Sequence, residues 1–240
     1  MLFIVICEVK MQLSTKVLLF TLIFSLTVNA QEVFNSQTEP SINFQVQISD
    51  DLLPLDNEVK VGKLENGLTY FIRKNSWPTK RAELRLVINA GSILEDENQR
   101  GLAHFVEHMC FNGTKHFEKQ ELVHYLESIG MRFGPDLNAY TSFNETVYML
   151  SLPTDSVTIV EKAFLILEDW AHNVTFDEEE IDKERGVVIE EWRSRRGAQA
   201  RMFDQHYPFL LQGSQYADRL PIGLMSVIEN ADYETIKRFY

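Results

Sequence analysis

The sequence predicts an α+β fold in which several helices pack against a mainly antiparallel sheet. Two observations predict this class. Short segments that alternate apolar and polar residues, a pattern typical of half-buried strands, occur before and between segments with helical spacing. Strands and helices also lack the regular alternation that builds a parallel βαβ sheet. Residues 232–240 read as a helix without a stop signal, so we expect a domain that is truncated at its C-terminus.

The strands are predicted from three segments. Residues 61–73 read as a hairpin, because Asn66-Gly67 is a strong two-residue turn signal between short apolar runs. Residues 82–89 and residues 145–152 each alternate apolar and polar side chains. Both are therefore predicted to be strands with one face in the core.

Four helices are predicted from helical spacing and from cap and stop signals. Gly113 and Gly130 can end the first two, and Asp155 and Asp177 can cap the other two. The predicted spans are residues 101–112, 118–129, 155 to about 172, and 177 to beyond 196.

The first 30 residues are predicted to be a signal region. Within it, residues 11–30 resemble a secretory signal peptide, with Met11 as the start, Lys16 as a short positive segment and an uncharged run at residues 17–28. Cleavage is expected after Ala30, which ends a small-residue site. The alternative is an uncleaved anchor, which we disfavour because twelve residues are too few to span a bilayer as a helix.

The rest of the chain is predicted to be a leader followed by one folded domain. Residues 31–58 are polar and mixed, as in a flexible leader, and residues 59–240 carry the periodic segments. Loss of residues 1–30 changes the formal net charge from −12 to −13. Because nucleic-acid binding needs a basic surface, we expect no nucleic-acid partner.

The motif with the clearest chemical meaning is H-F-V-E-H, at residues 104–108. On a helix, His104 and His108 project from one face one turn apart, so both imidazoles can reach one zinc ion. Glu107 lies between them, and the order H-x-x-E-H is the inverzincin signature. Two solvated histidines on a surface helix are the alternative, but the neighbouring residues are mostly apolar, and buried polar groups need partners.

The third ligand is expected to come from another element. His116, His124, His172 and His206 are candidates by residue type alone. Glu184 and Glu191 are better candidates, because they are seven residues apart and share one face of a helix with apolar residues between them.

Cys110 lies two residues after His108 and could be a fourth ligand. Four protein ligands would leave no position for water, so a small buried side chain is the preferred interpretation. Cys7 falls in the predicted signal region, so we expect no internal disulfide in the mature chain.

These motifs resemble the M16 zinc metallopeptidases, the pitrilysin or insulinase family. The resemblance covers about residues 59–240 and is carried by G-L-A-H-F-V-E-H-M, F-N-G-T and the E-R-x-x-x-x-x-E segment at residues 184–191. It further rests on N-A-Y-T, which begins at residue 138, and on E-T-V-Y, which begins at residue 145. It points to an N-terminal domain of a secreted bacterial member.

The resemblance implies the site residues. It implies one zinc ion held by His104, His108 and Glu191, with Glu107 as general base. It gives Glu184 the place of a supporting catalytic carboxylate, and Asn138 and Ala139 a place on a strand edge that contacts substrate. The spacing of 83 residues from His108 to Glu191 is longer than is usual in the family, and a strict count would reach Glu184 instead. Glu190 is the fallback neighbour of Glu191.

The function predicted from the motif and the resemblance is zinc-dependent endopeptidase activity. The expected substrates are peptides or small unfolded proteins. The alternative is a non-catalytic peptide-binding or assembly half of an M16-type complex. Further homologous M16 domains, in the same chain or in a partner chain, are expected partners. The predicted signal directs the protein out of the cytoplasm, with the periplasm as the expected location.

Overall fold

The computed structural model describes the backbone of residues 2–9 and all of residues 54–240. The predicted signal peptide from Met11 and the leader up to residue 53 lie outside the described residues and stay predictions. The strands are β1 Leu2–Val9, β2 Val59–Lys63, β3 Thr69–Lys74, β4 Arg81–Ile88, β5 Leu137–Thr141 and β6 Thr146–Pro153. The helices are α1 Leu102–Met109, α2 Glu121–Ser128, α3 Val157–His172, α4 Glu178–Ser194, α5 Ala198–Leu210, α6 Met225–Asn230 and α7 Tyr233–Phe239.

The strands form one sheet in the order β2-β3-β1-β4-β6-β5. All neighbouring pairs are antiparallel except β1 and β4, which are parallel. This confirms the predicted mainly antiparallel α+β fold. Strand β5 forms an edge of the sheet, and its last residue, Thr141, pairs with Thr146 at the tight β5–β6 connection.

One core lies between the sheet and α3. The alternation of β4 and β6 buries Leu84 and Leu150 against Trp170 of α3. The Trp170 indole donates a hydrogen bond to the Cys110 carbonyl, and the Cys110 thiol donates to the Tyr148 hydroxyl at 3.1 Å. Burial raises the pKa of the Cys110 thiol to about 12. Cys110 is therefore a buried thiol of this core, as preferred from the sequence, and its sulfur contacts Tyr148.

A second core, which we call the α1–α4 core, holds helix α1 against helices α4, α6 and α7. It consists of Leu102, Phe105, Val106, Met109, Phe176, Ile181, Val188, Ile228 and Ile236, all of them buried. The residues of α1 in this set flank the two motif histidines in sequence. The packing of this core therefore decides where the histidines stand relative to α4.

The start of α1 is fixed by a buried carboxylate. Glu95 accepts hydrogen bonds from the amides of Gly101 and Ala103 at 3.0 and 2.9 Å, which satisfies donors that a helix start leaves without a partner. Gly101 has a φ of 104°, and its backbone touches Gly223, where a side chain would have no room. Glycine is therefore required at both positions.

Helix α4 begins and docks through polar contacts. Asp177 caps it by accepting from the amides of Glu179 and Glu180, as the sequence indicated. Arg185 of α4 donates to the carbonyls of Ile228 and Ala231, at the C-terminal end of α6. Within the described residues, no helix has the length and apolar character needed to cross a bilayer.

The α1–α4 core can be tested through Ile181, which is fully buried. We expect Ile181→Ala to lower the free energy of unfolding by about 2–5 kcal/mol, because it leaves a cavity in a packed core. Val157→Ala, at an exposed position, is the control and should stay within about 0.5 kcal/mol of the parent. Urea denaturation of the parent and both variants measures this, and equal stabilities would contradict the packing described.

Candidate metal centre

The structure brings the predicted metal ligands to one point. Helix α1 places His104 and His108 one turn apart, with 3.2 Å between their Nε2 atoms. Helix α4 places Oε2 of Glu191 3.6 Å from the His104 Nε2 and 3.4 Å from the His108 Nε2. Among the described residues, this is the one group of three potential ligands whose donor atoms lie close together.

The three donor atoms fit a zinc ion. Zinc–nitrogen and zinc–oxygen bonds of about 2.0–2.1 Å in a tetrahedron separate neighbouring donors by about 3.3 Å. The observed separations of 3.2, 3.4 and 3.6 Å match that edge length. Two imidazoles and one carboxylate are also a donor set found in catalytic zinc sites, which keep the fourth position for water.

The protonation of the two imidazoles differs because their surroundings differ. Burial, and to a smaller extent the charge of the neighbouring His108, lower the pKa of His104 to about 4. Burial also acts to lower the pKa of His108, but hydrogen bonds to Glu184 and Glu191 outweigh it and raise the pKa to about 9. The hydrogen bond from His108 lowers the pKa of Glu191 to about 2. The site therefore stabilises a positive charge between the imidazoles and Glu191.

Glu184 contacts His108 on the side of the ring away from the ligand cluster. Its Oε1 accepts from the His108 Nδ1–H at 2.7 Å, and its Oε2 accepts from the side-chain amide of Asn112 at 2.5 Å. The carboxylate orients the ring and leaves the His108 Nε2 lone pair for a metal. This geometry favours Glu191 over Glu184 as the third donor.

Glu107 is almost fully buried and faces the same cleft as the cluster. Burial raises its pKa, and a hydrogen bond from the Thr141 hydroxyl to Oε2, 2.5 Å long, acts in the opposite direction. A hydroxyl on strand β5 thus donates a hydrogen bond to a carboxylate on helix α1.

The remaining acidic candidate points elsewhere. Glu190, the fallback neighbour, is exposed and pairs with Arg193 on the surface of α4. Arg195 binds Oε1 of Glu191 at 2.5 Å, so the two oxygens of Glu191 have different partners. The side chain of Arg195 is 72% exposed, so water screens this ion pair.

The cluster opens into a cleft of about 560 Å³. Asn138 and Ala139 of β5 line it, and their contact with substrate, which the family resemblance implies, stays a prediction. Pro221 and Ile222, from the connection between α5 and α6, also line the cleft. The sequence analysis assigned these two residues no role, because only the folded chain brings that connection beside α1.

The other histidines lie apart from the cluster. The His116 ring binds Asp169, and His124, His172 and His206 are exposed. Sequence reasoning also left Asn112 and Thr141 without a site role. Both lie inside motifs that the sequence analysis quoted, F-N-G-T and N-A-Y-T, and this was the available signal.

Comparison with known proteins identifies the family. Residues 70–217 match the family described as Insulinase (Peptidase family M16). The zinc protease PQQL-like of Arabidopsis thaliana is 42% identical over 207 residues, which are 86% of this chain and 21% of that protein. The probable zinc protease PqqL of Escherichia coli (strain K12) is 43% identical over 188 residues, 78% of this chain and 20% of that protein.

A solved structure agrees in sequence and in fold. The crystal structure of the first half of the periplasmic protease PqqL from Escherichia coli matches with a TM-score of 0.75 and 42% identity, over 78% of this chain and 40% of that chain. The chain belongs to the M16 peptidase family, which confirms the resemblance read from its motifs. It spans about a fifth of the length of the curated relatives it matches.

The charge distribution predicts how zinc affinity depends on pH. Because the His108 pKa is about 9 and the His104 pKa about 4, zinc binding near neutrality must displace one proton, from His108. The dissociation constant for zinc should therefore fall about tenfold per pH unit between about pH 6 and 8. Competition with a chelator of known affinity measures it.

Glu184→Gln is the matched variant for this prediction. It removes one of the two carboxylates whose hydrogen bonds raise the His108 pKa, so the pH dependence should flatten at the alkaline end of the range. A zinc affinity of the parent that does not change with pH would contradict the assigned protonation of His108.

Proposed function

We propose that this domain is the zinc-binding catalytic domain of an endopeptidase that hydrolyses peptide bonds with Glu107 as general base. The observation that carries the proposal is the convergence of His104, His108 and Glu191 on one point, beside a buried Glu107 that faces the same cleft. The family membership and the zinc protease names of the relatives support the same reaction class.

One zinc ion would be held by His104, His108 and Glu191. When bound, zinc supplies a water with a pKa near about 7 and polarises the carbonyl that this water attacks. The fixed side chains contribute the rest. Glu184 accepts from His108 Nδ1–H, which keeps the Nε2 lone pair directed to the donor cluster.

Glu107 would carry the proton during the reaction. Its Oε2 already accepts from the Thr141 hydroxyl, so Oε1, which has no hydrogen bond within the described residues, would be the oxygen that accepts the proton of the attacking water. The same oxygen would then deliver that proton to the departing amine. Burial raises the pKa of Glu107 above its ordinary value, so the carboxylate accepts a proton more readily than an exposed one.

The edge strand β5 would hold the substrate. Asn138 and Ala139 lie on that edge and line the cleft, and no described strand pairs with the outer side of β5. A peptide in extended form can therefore add to the sheet as a further strand beside the donor cluster. Peptides or small unfolded proteins are the substrate class that suits this binding mode.

The alternative, a non-catalytic peptide-binding or assembly half, is less well supported. A domain that only binds peptide has no need of a buried carboxylate, and burial without a task is unfavourable. Here Glu107, both imidazoles and Glu191 are all present in one cleft. We further propose a periplasmic location and association with further homologous M16 domains, by analogy with the periplasmic relative.

The role of Glu107 is tested by Glu107→Gln in the full-length protein, with a fluorogenic peptide as substrate. Removal of the base should lower kcat by about a hundredfold or more, and zinc content should remain at about one ion per chain, because Glu107 is not a ligand. Hydrolysis at the parental rate by this variant would refute the assignment of the base.

The third ligand is tested separately by Glu191→Gln. Loss of a charged ligand should weaken zinc binding strongly and should reduce hydrolysis through loss of the metal. Glu190→Gln, on the exposed side of the same helix, is the matched control and should keep both zinc and activity. Zinc content after dialysis, measured by atomic emission, checks both variants. Retention of zinc by Glu191→Gln would contradict the ligand set.

A further inference from the structure

Two carboxylates beside the donor cluster are each held by one uncharged donor. Asn112 donates to Glu184, and Thr141 donates to Glu107, both at 2.5 Å. In each pair the donor binds Oε2 only. The other oxygen of Glu184 faces an imidazole, whereas the other oxygen of Glu107 has no hydrogen bond within the described residues.

We propose that Asn112 and Thr141 are positioning residues that give these two carboxylates different tasks. Asn112 holds Glu184 against His108 and so supports zinc binding. Thr141 holds Glu107 with one oxygen free for the water and so supports the chemical step. This inference rests on the proposed function. It assigns one positioning residue to zinc binding and a different one to peptide hydrolysis.

The Asn112 contact joins the two helices that supply the ligands. Asn112 lies in the turn after α1. Its backbone amide donates to the Met109 carbonyl at 3.0 Å, so its backbone is fixed. Its side chain reaches across to Glu184 on α4. With both oxygens of Glu184 occupied, this carboxylate is prevented from rotating toward the cluster, where it would compete with Glu191.

The Thr141 contact joins α1 to the β5–β6 hairpin. The hairpin is anchored because the Ser142 amide donates to the Glu145 carbonyl at 2.8 Å and the Ser92 amide donates to the Ser142 carbonyl at 3.1 Å. The backbone that carries the Thr141 hydroxyl is therefore held in place. Each oxygen of an ionised carboxylate can accept two hydrogen bonds, so this donor does not block Oε2. It limits rotation of the Glu107 carboxylate and leaves Oε1 with its full acceptor capacity.

If the two residues have separate tasks, each substitution should change one quantity and leave the other: zinc affinity for Asn112 and kcat for Thr141. Asn112→Ala should weaken zinc binding about tenfold, the effect typical of losing an outer partner of a ligand, with kcat at saturating zinc within about twofold. Thr141→Val has nearly the same shape but no hydroxyl, and should lower kcat about tenfold or more with KM and zinc affinity unchanged. Thr141→Ser restores the donor and should recover most of kcat.

The experiment uses the full-length protein. Zinc dissociation constants come from chelator competition, and kcat and KM come from a fluorogenic peptide at saturating zinc. Asn98→Ala and Thr158→Val, at exposed positions, are the matched controls and should change neither quantity. Thermal unfolding verifies that each variant is folded. If Asn112→Ala does not fold, Asn112→Leu, which has nearly the same shape with neither a donor nor a charge, replaces it.

The outcomes separate this inference from the proposed function. A parent protein that binds zinc without cleaving peptides would overturn the proposed function and the role of Thr141, whereas the Asn112 prediction is still decided by zinc affinity. A parent that binds and cleaves, with variants that lose both properties in parallel or lose neither, would overturn the assignment of separate tasks. Failure of Thr141→Ser to recover kcat would also count against it.

Discussion

The packing of α1 against α4 is the interaction on which the rest of the structure depends. The three donor atoms come from two helices far apart in sequence, and their separations of 3.2–3.6 Å suit one metal ion. Val188 is fully buried and lies between Glu184 and Glu191 on the inward side of α4. Because residues i, i+4 and i+7 share one face, the contact that buries Val188 also directs both carboxylates toward α1.

The apolar packing of α1 against α4 offsets the unfavourable burial of several charged groups beside it. Two imidazoles and three carboxylates lie in one partly buried cleft, and buried charge is costly unless it is paired. Asp177 and Arg185 fix α4 from outside the cleft, so the acidic side chains do not determine where the helix lies. The opposite shifts of the two histidine pKa values have the same origin, since the carboxylates stabilise one positive charge and burial opposes a second.

Much of this could be predicted from the sequence, because local periodicity determined it. The motif helix, the strand at residues 82–89 and the inward face of α4 follow from spacing alone. Thr141 and Pro221 could not be assigned in this way, because their proximity to α1 depends on how the β5–β6 hairpin and the α5–α6 connection fold over it. The helix α5 was also missed, since it has no buried residue to mark a periodic face and contains Pro208.

We propose that one zinc ion is bound by two imidazoles, one carboxylate and water. X-ray absorption spectroscopy of the zinc-loaded full-length protein tests it most directly. We expect nitrogen and oxygen atoms at about 2.0–2.2 Å from the zinc, with the outer-atom scattering of two imidazole rings. A sulfur atom at about 2.3 Å, or scattering from three or four imidazoles, would contradict it.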